Sequence, residues 1–391
     1  MFVAVFGLGT FQKSGLQELK KLNYKIIGFD ENKKPINKNL VDNFFCIPFK
    51  NKNKILNICK KYNVISLFAF STDAPLNIIS YINKKLKLSG YKERDVILIK
   101  NKNNFRKFLK EKLKVNTPKF LFLKKLKIES IKKNMVFPVV CKPDVGSGSR
   151  GVFFCKNINL LNDLFEKNKE FYKKKNIMIE QFIPGTEYAV DGWIYKKNFI
   201  FCCLSKKKRT KPPYLLDENL VINYQNNLIK LKIKKLMERI IFFSKIDNVP
   251  IHLEFIYKSN KVFLIDIAIR GAGFGVYSNI LSIIMNQSTD LILINLLQNK
   301  KIIFNAPNKK SFYLSFFKSS INGNFKKIIN LDFLKKSNSF FELNLYKKIN
   351  TKVSPLENGA DRIGHFLLMN SPKKLSKDIK FLAQIVKADV Q

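Results

Sequence analysis

The segment Ile251-His-Leu-Glu-Phe-Ile-Tyr257 is followed by Lys258-Ser-Asn-Lys261 and Val262-Phe-Leu-Ile-Asp-Ile-Ala-Ile269, an order that predicts a β-hairpin. Glu254 and Asp266 interrupt two otherwise apolar strands. A carboxylate at such a position is costly unless it is paired or bound to a metal ion. Magnesium that bridges nucleotide phosphates is usually held by one or two such carboxylates. The hairpin therefore predicts a metal site, although a salt-bridged surface hairpin would explain the same residues.

The register of this hairpin tests the metal hypothesis. If the loop contains only Ser259 and Asn260, Glu254 pairs with Ile265, and Asp266 lies on the other face of the sheet. A metal site then requires a three-residue loop or a β-bulge, and asparagine tolerates the left-handed backbone that such a loop needs.

Arg270 follows the end of the second strand, ahead of Gly271-Ala-Gly273. At this position its guanidinium can stabilise a phosphoryl group during transfer. Arg270 is therefore a candidate catalytic residue.

A glycine-serine loop precedes this hairpin in the chain, between the strand that ends at Lys142 and a strand that begins at Gly151. Successive backbone N–H groups in such a loop can surround phosphate oxygens, and a lysine at the strand end can meet the same charge. An ordinary hairpin loop beside an exposed lysine explains the pattern equally well. The candidate phosphate-binding residues of the loop are Gly146, Ser147, Gly148 and Ser149.

Ile177 to Ile183 reads as a strand and is followed by a Pro-Gly turn and another strand that carries Glu187. Exposed backbone of this kind can hydrogen-bond the edge of an adenine ring, with Glu187 near a ribose. The stretch supplies Glu180, Gln181, Phe182 and Ile183 as further candidates.

The first hundred residues alternate between short apolar strands and amphipathic helices, which predicts a parallel sheet covered by helices. Phe2 to Phe6, Tyr24 to Phe29 and Val64 to Phe70 are the predicted strands. Ligands of such sheets bind at the carboxyl ends of the strands. Val5 to Ser14 nearly matches two phosphate-loop motifs, but Gln12 replaces a glycine in both, so a tight turn without a cofactor is favoured.

The composition describes a chain of 391 residues with 46% hydrophobic residues and a formal charge of +43. This length suggests two or three globular units. Only seven of the 72 basic residues are arginine, and the lysines are spread along the chain, so nucleic acid is not the expected partner. No cysteine pair has metal or disulfide spacing, the N-terminus lacks signal-peptide features, and no apolar run approaches about 18 residues. A cytoplasmic protein without a membrane segment is expected.

Two further features are given structural interpretations. His252 lies two residues before Glu254 and is interpreted as a core or surface histidine. The basic run from Lys206 to Lys211 is interpreted as a solvated loop.

Taken in order, these blocks resemble the ATP-grasp superfamily of carboxylate-amine ligases, which includes the large chain of carbamoyl-phosphate synthase, biotin carboxylase and D-alanine-D-alanine ligase. The resemblance extends from Phe2 to about Asn299 and also includes Lys102 in Asn101-Lys102-x-x-x-Arg106. It implies that Lys102 and Lys142 bind phosphates of ATP and that Glu180 and the following backbone contact adenine. Glu187 is then a ribose ligand.

The same resemblance implies that Glu254 and Asp266 bind Mg²⁺, with Mn²⁺ as an alternative ion. It gives Arg270 and Lys142 catalytic roles at an acyl phosphate that an amine then attacks. One departure is that Asp266-Ile-Ala268-Ile-Arg270 carries alanine where the superfamily commonly has an asparagine that completes a second magnesium site. Asp266 is also one methylene shorter than the usual glutamate.

The resemblance implies α/β and α+β architecture in three parts. These are an N-terminal Rossmann-like domain over residues 1–98, an ATP-grasp region over residues 99–304 with a mobile lid at about 115–185, and a C-terminal α+β part over residues 305–391. The expected activity joins a small-molecule carboxylate to an amine, and a homodimer is compatible with it. The alternatives are a carboxylase or kinase on the same scaffold, or a non-catalytic protein that binds a nucleotide or a polyanion.

Overall fold

The structure, a computed structural model, describes residues 1–146 and 148–391. Its helices are α1 (Lys13–Lys21), α2 (Lys52–Lys61), α3 (Leu76–Leu86), α4 (Glu93–Lys100), α5 (Lys102–Phe108), α6 (Ile128–Asn134), α7 (Ile158–Lys167), α8 (Lys169–Tyr172), α9 (Asn227–Ser244), α10 (Ser282–Met285), α11 (Thr289–Leu297), α12 (Leu331–Lys336) and α13 (Pro372–Ile385). Single π-helical segments follow α5 and precede α10, at Leu109–Leu113 and Val276–Leu281.

The strands of the described residues form four sheets. They are β1 (Phe2–Phe6), β2 (Lys25–Asp30), β3 (Asn43–Cys46), β4 (Leu67–Phe68), β5 (Phe120–Leu123), β6 (Val139–Pro143), β7 (Phe153–Cys155), β8 (Ile177–Gln181), β9 (Thr186–Tyr195), β10 (Asn198–Arg209), β11 (Asp217–Ile222), β12 (Val249–Lys258), β13 (Lys261–Ala268), β14 (Ser311–Phe317), β15 (Gly323–Ile329), β16 (Phe340–Leu345), β17 (Lys352–Val353), β18 (Gly364–Asn370) and β19 (Lys387–Val390).

The N-terminal sheet is parallel and has the order β3-β2-β1-β4. The central strand β1 is apolar throughout and almost fully buried, as expected for a strand covered on both faces. Gly7 turns the chain after β1 with φ +85, and the Asp30 carboxylate accepts a hydrogen bond from the Leu8 amide at 2.7 Å. The Gln12 side chain is buried and donates to the Phe70 carbonyl at 2.7 Å. The polar residue that breaks both phosphate-loop motifs therefore has a structural role in the turn.

A small antiparallel sheet of order β5-β8-β6-β7 has a hydrophobic core of its own. Leu123, Val139, Phe153 and Ile179 are buried in it beneath α6 and α7, and Leu161 of α7 completes the packing. This sheet begins two residues after Pro118, and it carries both Lys142 and Glu180. The predicted lid falls on this part of the chain.

An eight-stranded sheet of order β13-β12-β9-β10-β11-β14-β18-β16 forms the body of the protein. Its pairings are antiparallel throughout, and Trp193 lies at the centre of the main core with none of its surface exposed. The last three strands come from the C-terminal part, which also forms a three-stranded sheet of order β17-β15-β19. The C-terminal part thus extends the sheet that carries the hairpin.

No single helix among residues 1–146 and 148–391 is both long and apolar enough to cross a membrane. The segments Val276–Met285 and Thr289–Leu297 reach that length only as a pair, and the two meet at an angle of 102°.

Candidate active site

The hairpin of β12 and β13 has a two-residue loop and a β-bulge. Lys258 pairs with Lys261, and both loop residues have left-handed backbone, with φ of 45° at Ser259 and 61° at Asn260. Pairing then runs regularly to Phe255 opposite Leu264, where the register shifts and Glu254 comes to lie opposite Asp266. Residues directly opposite each other project their side chains to the same face. The bulge thus places the two carboxylates side by side, as the metal hypothesis requires.

The bulged residue, Ile265, connects the hairpin to the small sheet. Its carbonyl accepts hydrogen bonds from Arg106 Nη2 at 2.5 Å and from Lys142 Nζ at 3.3 Å. A bulge leaves one residue of a strand unpaired, so its carbonyl is available to partners outside the sheet. The irregularity that aligns Glu254 with Asp266 therefore also anchors Lys142 beside them.

Glu180 lies between two cations in the buried interior of the site. Its carboxylate is 2.6 Å from Arg106 Nε and 2.5 Å from Lys142 Nζ, and only 3% of the residue is exposed. Burial by itself would raise the pKa of Glu180, but the charges of Arg106 and Lys142 outweigh it and lower the pKa to about 2. The carboxylate is therefore ionised at neutral pH and fixes the position of Lys142.

The metal-ligand candidates also contact lysines. Lys102 Nζ lies 2.9 Å from the Asp266 carboxylate, and Lys207 Nζ donates to Glu254. Burial would lower the pKa of Lys207, but Asp217, Glu254 and Glu187 hold it above its ordinary value. Both carboxylates of the hairpin are thus neutralised by cations in this structure.

The interpretation of the Lys206–Lys211 run as a solvated loop is wrong. Strand β10 continues to Arg209, so consecutive side chains alternate between the two faces of the sheet. Lys206 and Lys208 are exposed, whereas Lys207 is buried. Arg209 binds the Glu187 carboxylate through two nitrogen atoms and lies 2.8 Å from Asp217.

His252 is part of the site, in contrast to the interpretation as an ordinary core or surface residue. Its Nδ1 lies 2.9 Å from Asp191 Oδ1, and its Nε2 lies 3.6 Å from Glu254 Oε1. Burial would lower the pKa of His252, but Asp191 and Glu254 raise it to about 9. The ring stands opposite Ala268, the position at which the expected asparagine is missing.

The predicted site residues that the structure describes all line one cavity of about 950 Å³. Ser147 lies outside the described residues. The others are Lys102, Lys142, Gly146, Gly148, Ser149, Glu180, Gln181, Phe182, Ile183, Glu187, Glu254, Asp266 and Arg270. They come from both sheets and from helix α5, so the cavity lies between the small sheet and the large one.

Some of the groups that are predicted to bind ATP or the acyl phosphate already form hydrogen bonds within the protein. The amides of Gln181 and Phe182 donate to the carbonyls of Lys119 and Pro138 at 2.8 and 3.0 Å. Any adenine contact by these two residues must therefore use groups other than their N–H. Arg270 Nη1 donates to the Gly271 carbonyl at 2.8 Å, which leaves the rest of the guanidinium to face the cavity.

Two glycines in and next to the glycine-serine loop have the left-handed backbone that favours glycine. Gly148 and Gly151 have φ of +67 and +72, and a Cβ atom on Gly151 would lie 2.3 Å from the Phe171 ring. The Gly148 carbonyl accepts a hydrogen bond from the Gly359 amide at 3.4 Å. Close by, Lys167 of α7 forms a salt bridge with Glu357. The C-terminal part thus contacts the small sheet beside the loop.

The donor set fits a magnesium ion that arrives with phosphates better than a preformed metal site. Within residues 1–146 and 148–391 no group of three or more His, Cys, Asp or Glu side chains is arranged to hold a metal ion. Glu254 and Asp266 nevertheless supply the oxygen ligands that Mg²⁺ prefers, and Mg²⁺ usually completes its octahedron with water and phosphate.

The chain matches known proteins in sequence, and one match includes most residues of this site. Residues 135–278 match the model of the ATP-grasp domain. Dapdiamide A synthase from Enterobacter agglomerans is 27% identical over 143 residues, which make up 35% of this chain and 34% of that protein. D-alanine–D-alanine ligase from Pelagibacter ubique is 42% identical over 85 residues, which make up 20% of this chain and 26% of that protein. The chain thus spans a quarter to a third of the length of these two relatives.

Solved structures resemble the whole chain. An L-amino acid ligase from Bacillus licheniformis superposes with a TM-score of 0.85 at 18% identity and covers 100% of this chain and 98% of its own. Phosphoribosylglycinamide synthetase from Anaerococcus prevotii gives a TM-score of 0.73, also at 18% identity, with coverage of 100% and 99%. These values show a shared fold.

The matches confirm the predicted fold class and the predicted resemblance. Residues 135–278 match the ATP-grasp domain model, and the whole chain shares the fold of the solved L-amino acid ligase. The division at residues 98 and 304, the limits of the lid and the roles of individual residues stay predictions.

Proposed function

We propose that the protein is an ATP- and Mg²⁺-dependent ligase that activates a small-molecule carboxylate as an acyl phosphate, which an amine then attacks. The observation that carries this proposal is the bulge at Ile265. It aligns Glu254 with Asp266 and holds Lys142 beside them in one cavity. Phosphoryl transfer needs positioning and charge neutralisation rather than a protein nucleophile, and these residues supply both.

In this proposal Lys142 and Lys102 bind the phosphates of ATP. Mg²⁺, when bound with ATP, supplies charge neutralisation between the phosphates and the carboxylates of Glu254 and Asp266. Lys102 now pairs with Asp266, so it would exchange that partner for a phosphate as the metal ion replaces it. Arg270 would orient the acyl phosphate and stabilise its charge.

The small sheet would act as the lid. Its separate hydrophobic core allows it to move as a unit, and its glycine-serine loop lies over the cavity. Closure would exclude water from the acyl phosphate, which otherwise hydrolyses. The contacts Lys167–Glu357 and Gly359–Gly148 would hold the closed position.

Amino acids are the substrates that we propose first, since the structure that resembles the whole chain at a TM-score of 0.85 is named an L-amino acid ligase. Mn²⁺ is proposed as a substitute for Mg²⁺, because both ions accept oxygen ligands. We also propose a cytoplasmic location, a homodimeric state and no nucleic-acid partner.

The experiment is a measurement of ADP release with ATP, Mg²⁺ and pools of carboxylates and amines. We expect release by the unchanged protein and almost none by Lys142→Ala. Lys124→Ala, at the exposed position that follows β5, is the matched control and should keep full activity. Equal ADP release from the unchanged protein and Lys142→Ala would contradict the proposal.

Two other functions have their own readouts. A carboxylase would release ADP only when bicarbonate is present. Ala268, where an asparagine is expected, favours a protein that binds a nucleotide without turnover. Mg²⁺-dependent ATP binding without ADP release from any substrate pool would support that second function.

A further inference from the structure

Three phenylalanines from distant parts of the chain line one end of the catalytic cavity. Phe11 follows β1, Phe274 follows β13, and Phe316 lies in β14. The ring centroids of Phe11 and Phe274 are 5.9 Å apart, and those of Phe274 and Phe316 are 5.1 Å apart, both with edge-to-face geometry. We call these three rings the aromatic wall. Aromatic pairs at such distances form a stable apolar surface.

The aromatic wall is held from behind by Arg362, which comes from the C-terminal part. The guanidinium carbon lies 3.7 Å from the centroid of Phe316 and 4.6 Å from that of Phe274. Arg362 is only 2% exposed, and its Nη2 donates to the Asp217 carbonyl at 2.8 Å. A planar guanidinium stacks on aromatic faces in a way that a lysine ammonium does not. Arg362 therefore fixes both rings relative to β11.

The backbone of Phe274 is also unusual. It has φ of 55°, between Gly273 and Gly275, and a left-handed backbone is rare for a bulky residue. Such conformations persist where the surrounding structure imposes them, and they cluster at binding sites. This conformation places Phe274 in the cavity lining only four residues after Arg270.

Among the cavity residues that the structure describes, one carboxylate forms no salt bridge. Glu180, Glu187, Asp191, Asp217, Glu254 and Asp266 line the cavity, and each lies within 4 Å of a basic side chain. Among the cavity carboxylates of residues 1–146 and 148–391, Asp73 alone forms no salt bridge. Lys100 is close, but its ammonium donates to the backbone carbonyls of Asp73 and Ala74. The Asp73 carboxylate is thus available to a cation of the ligand.

We propose that the aromatic wall and Asp73 form the subsite for the amino acid whose carboxylate is activated, and that this amino acid has an apolar side chain. The side chain packs against the aromatic wall, the ammonium group binds Asp73, and the carboxylate points to Arg270. This inference rests on the proposed function and narrows its substrate class. Formate or bicarbonate would leave both the wall and Asp73 unused.

The side-chain part is tested by ADP release with glycine, alanine, leucine or phenylalanine as the acid. Glycinamide serves as the amine, since it has no carboxylate to activate. We expect kcat/KM for leucine to exceed that for glycine by about tenfold or more, because an apolar pocket discriminates by a few methylene groups to this extent. Phe274→Ala should reduce the ratio to about threefold or less by the same reasoning, with KM for ATP unchanged. Phe333→Ala, which removes an exposed ring far from the cavity, should keep the original ratio.

Two further variants separate positioning from folding. Phe274→Leu keeps apolar volume and should fold normally, and it should change the preference between leucine and phenylalanine. Arg362→Lys keeps the charge and loses the planar stack, so it should raise KM for leucine while KM for ATP stays the same. An equal loss with glycine and leucine in Arg362→Lys would mean a structural role only and would overturn the positioning role.

The ammonium part is tested by comparison of leucine with 4-methylpentanoate, which lacks the amino group. The unchanged protein should prefer leucine by about tenfold, since a site built for a charged group rejects the analogue without it. Asp73→Asn should use the two acids about equally well, whereas Asp332→Asn, at an exposed position, should behave as the unchanged protein.

The failure of this inference can be distinguished from the failure of the proposed function. ADP release that is equal for glycine and leucine, or a ratio that Phe274→Ala leaves intact, overturns the subsite while the ligase function stands. Absence of ADP release with every carboxylate overturns the ligase function. In that case calorimetric titration of leucine in the presence of ADP tests the subsite alone, and absence of leucine binding overturns it.

Discussion

Replacement of Glu180 by glutamine is predicted to destabilise the protein by about 3 kcal/mol at pH 7. The carboxylate is buried between Arg106 and Lys142, and these charges lower its pKa from 4.5 to about 2. This lowering of the pKa corresponds to roughly 3 kcal/mol of stability, as an order of magnitude. Because the pKa is lower in the folded state, this stability is present above the unfolded pKa and is lost as the pH falls toward about 2.

The assay is urea unfolding followed by the fluorescence of Trp193, the single tryptophan, and by far-UV circular dichroism. From pH 7 to a pH of about 3.5, the difference in the free energy of unfolding between the unchanged protein and Glu180→Gln should shrink by about 1 kcal/mol. Glu166→Gln is the matched control. Glu166 pairs with Lys169 at 3.0 Å, but it is 52% exposed, and exposed pairs contribute about 0 to 1 kcal/mol. If Glu180→Gln costs no more than Glu166→Gln, or if its cost does not depend on pH, the assignment of a strong buried cluster is refuted.

Three further predictions concern other buried groups and the bulge. Burial raises the pKa of Asp290 to about 6, so its ionisation should contribute a loss of stability of about 3 kcal/mol as the pH rises from about 4 to about 6. Burial, together with the Arg362 charge, lowers the pKa of His365 to about 4, so its protonation should contribute a loss of about 3 kcal/mol as the pH drops from about 6.5 to about 4. Since the two contributions have opposite sign and largely cancel in the unchanged protein, Asp290→Asn should leave the His365 contribution and His365→Gln the Asp290 contribution, so the stability of each variant should depend on pH more steeply in urea unfolding than that of the unchanged protein. Deletion of Ile265 should leave Asp266 opposite Glu254 in a regular hairpin. It should nevertheless raise KM for ATP about tenfold, because Arg106 and Lys142 lose the Ile265 carbonyl, a hydrogen-bond acceptor worth about 1 to 2 kcal/mol. An unchanged KM would contradict the anchoring role of this carbonyl.

The elements that sequence reasoning located best are those with strong local signals. Strand β1 has the predicted bounds, Phe2–Phe6, because a continuous apolar run bounded by glycine has few alternatives. The predicted strand Val64 to Phe70 shrinks to Leu67–Phe68. Its sequence allows a longer strand, but pairing with β1 covers only these two residues, and pairing is a tertiary property.

Several basic residues of the site were not identified from local sequence signals. Lys207, Arg106 and Arg209 bind the key carboxylates, but in a chain with 72 basic residues a single lysine or arginine carries little information. The alternation along β10, exposed at Lys206 and buried at Lys207, was the available signal. It was missed because the run of basic residues hid the strand period.

The position of the bulge is a second feature that the sequence could not predict. Sequence reasoning established that either a longer loop or a bulge was necessary for a metal site, but no residue type marks Ile265 as the bulged one. Its position follows from the contacts that the bulge makes possible. The unpaired carbonyl of Ile265 accepts hydrogen bonds from Arg106 and Lys142, and these same cations bind Glu180. The energy of that cluster can offset the lost ladder pairing.

The pairing of charges in the cavity bears on how ATP and Mg²⁺ would bind to a chain with a formal charge of +43. Six carboxylates of the cavity, among the residues that the structure describes, each have a basic partner, so the charges of these carboxylates are compensated before any ligand binds. In the proposed function ATP and Mg²⁺ would bind by exchange, in which the phosphates would pair with the lysines and the carboxylates would hold the metal ion. Exchange between buried pairs is screened by salt much less than attraction to surface lysines is. Affinity for MgATP should therefore change little between low and moderate salt, whereas binding driven by the spread surface charge would weaken steeply.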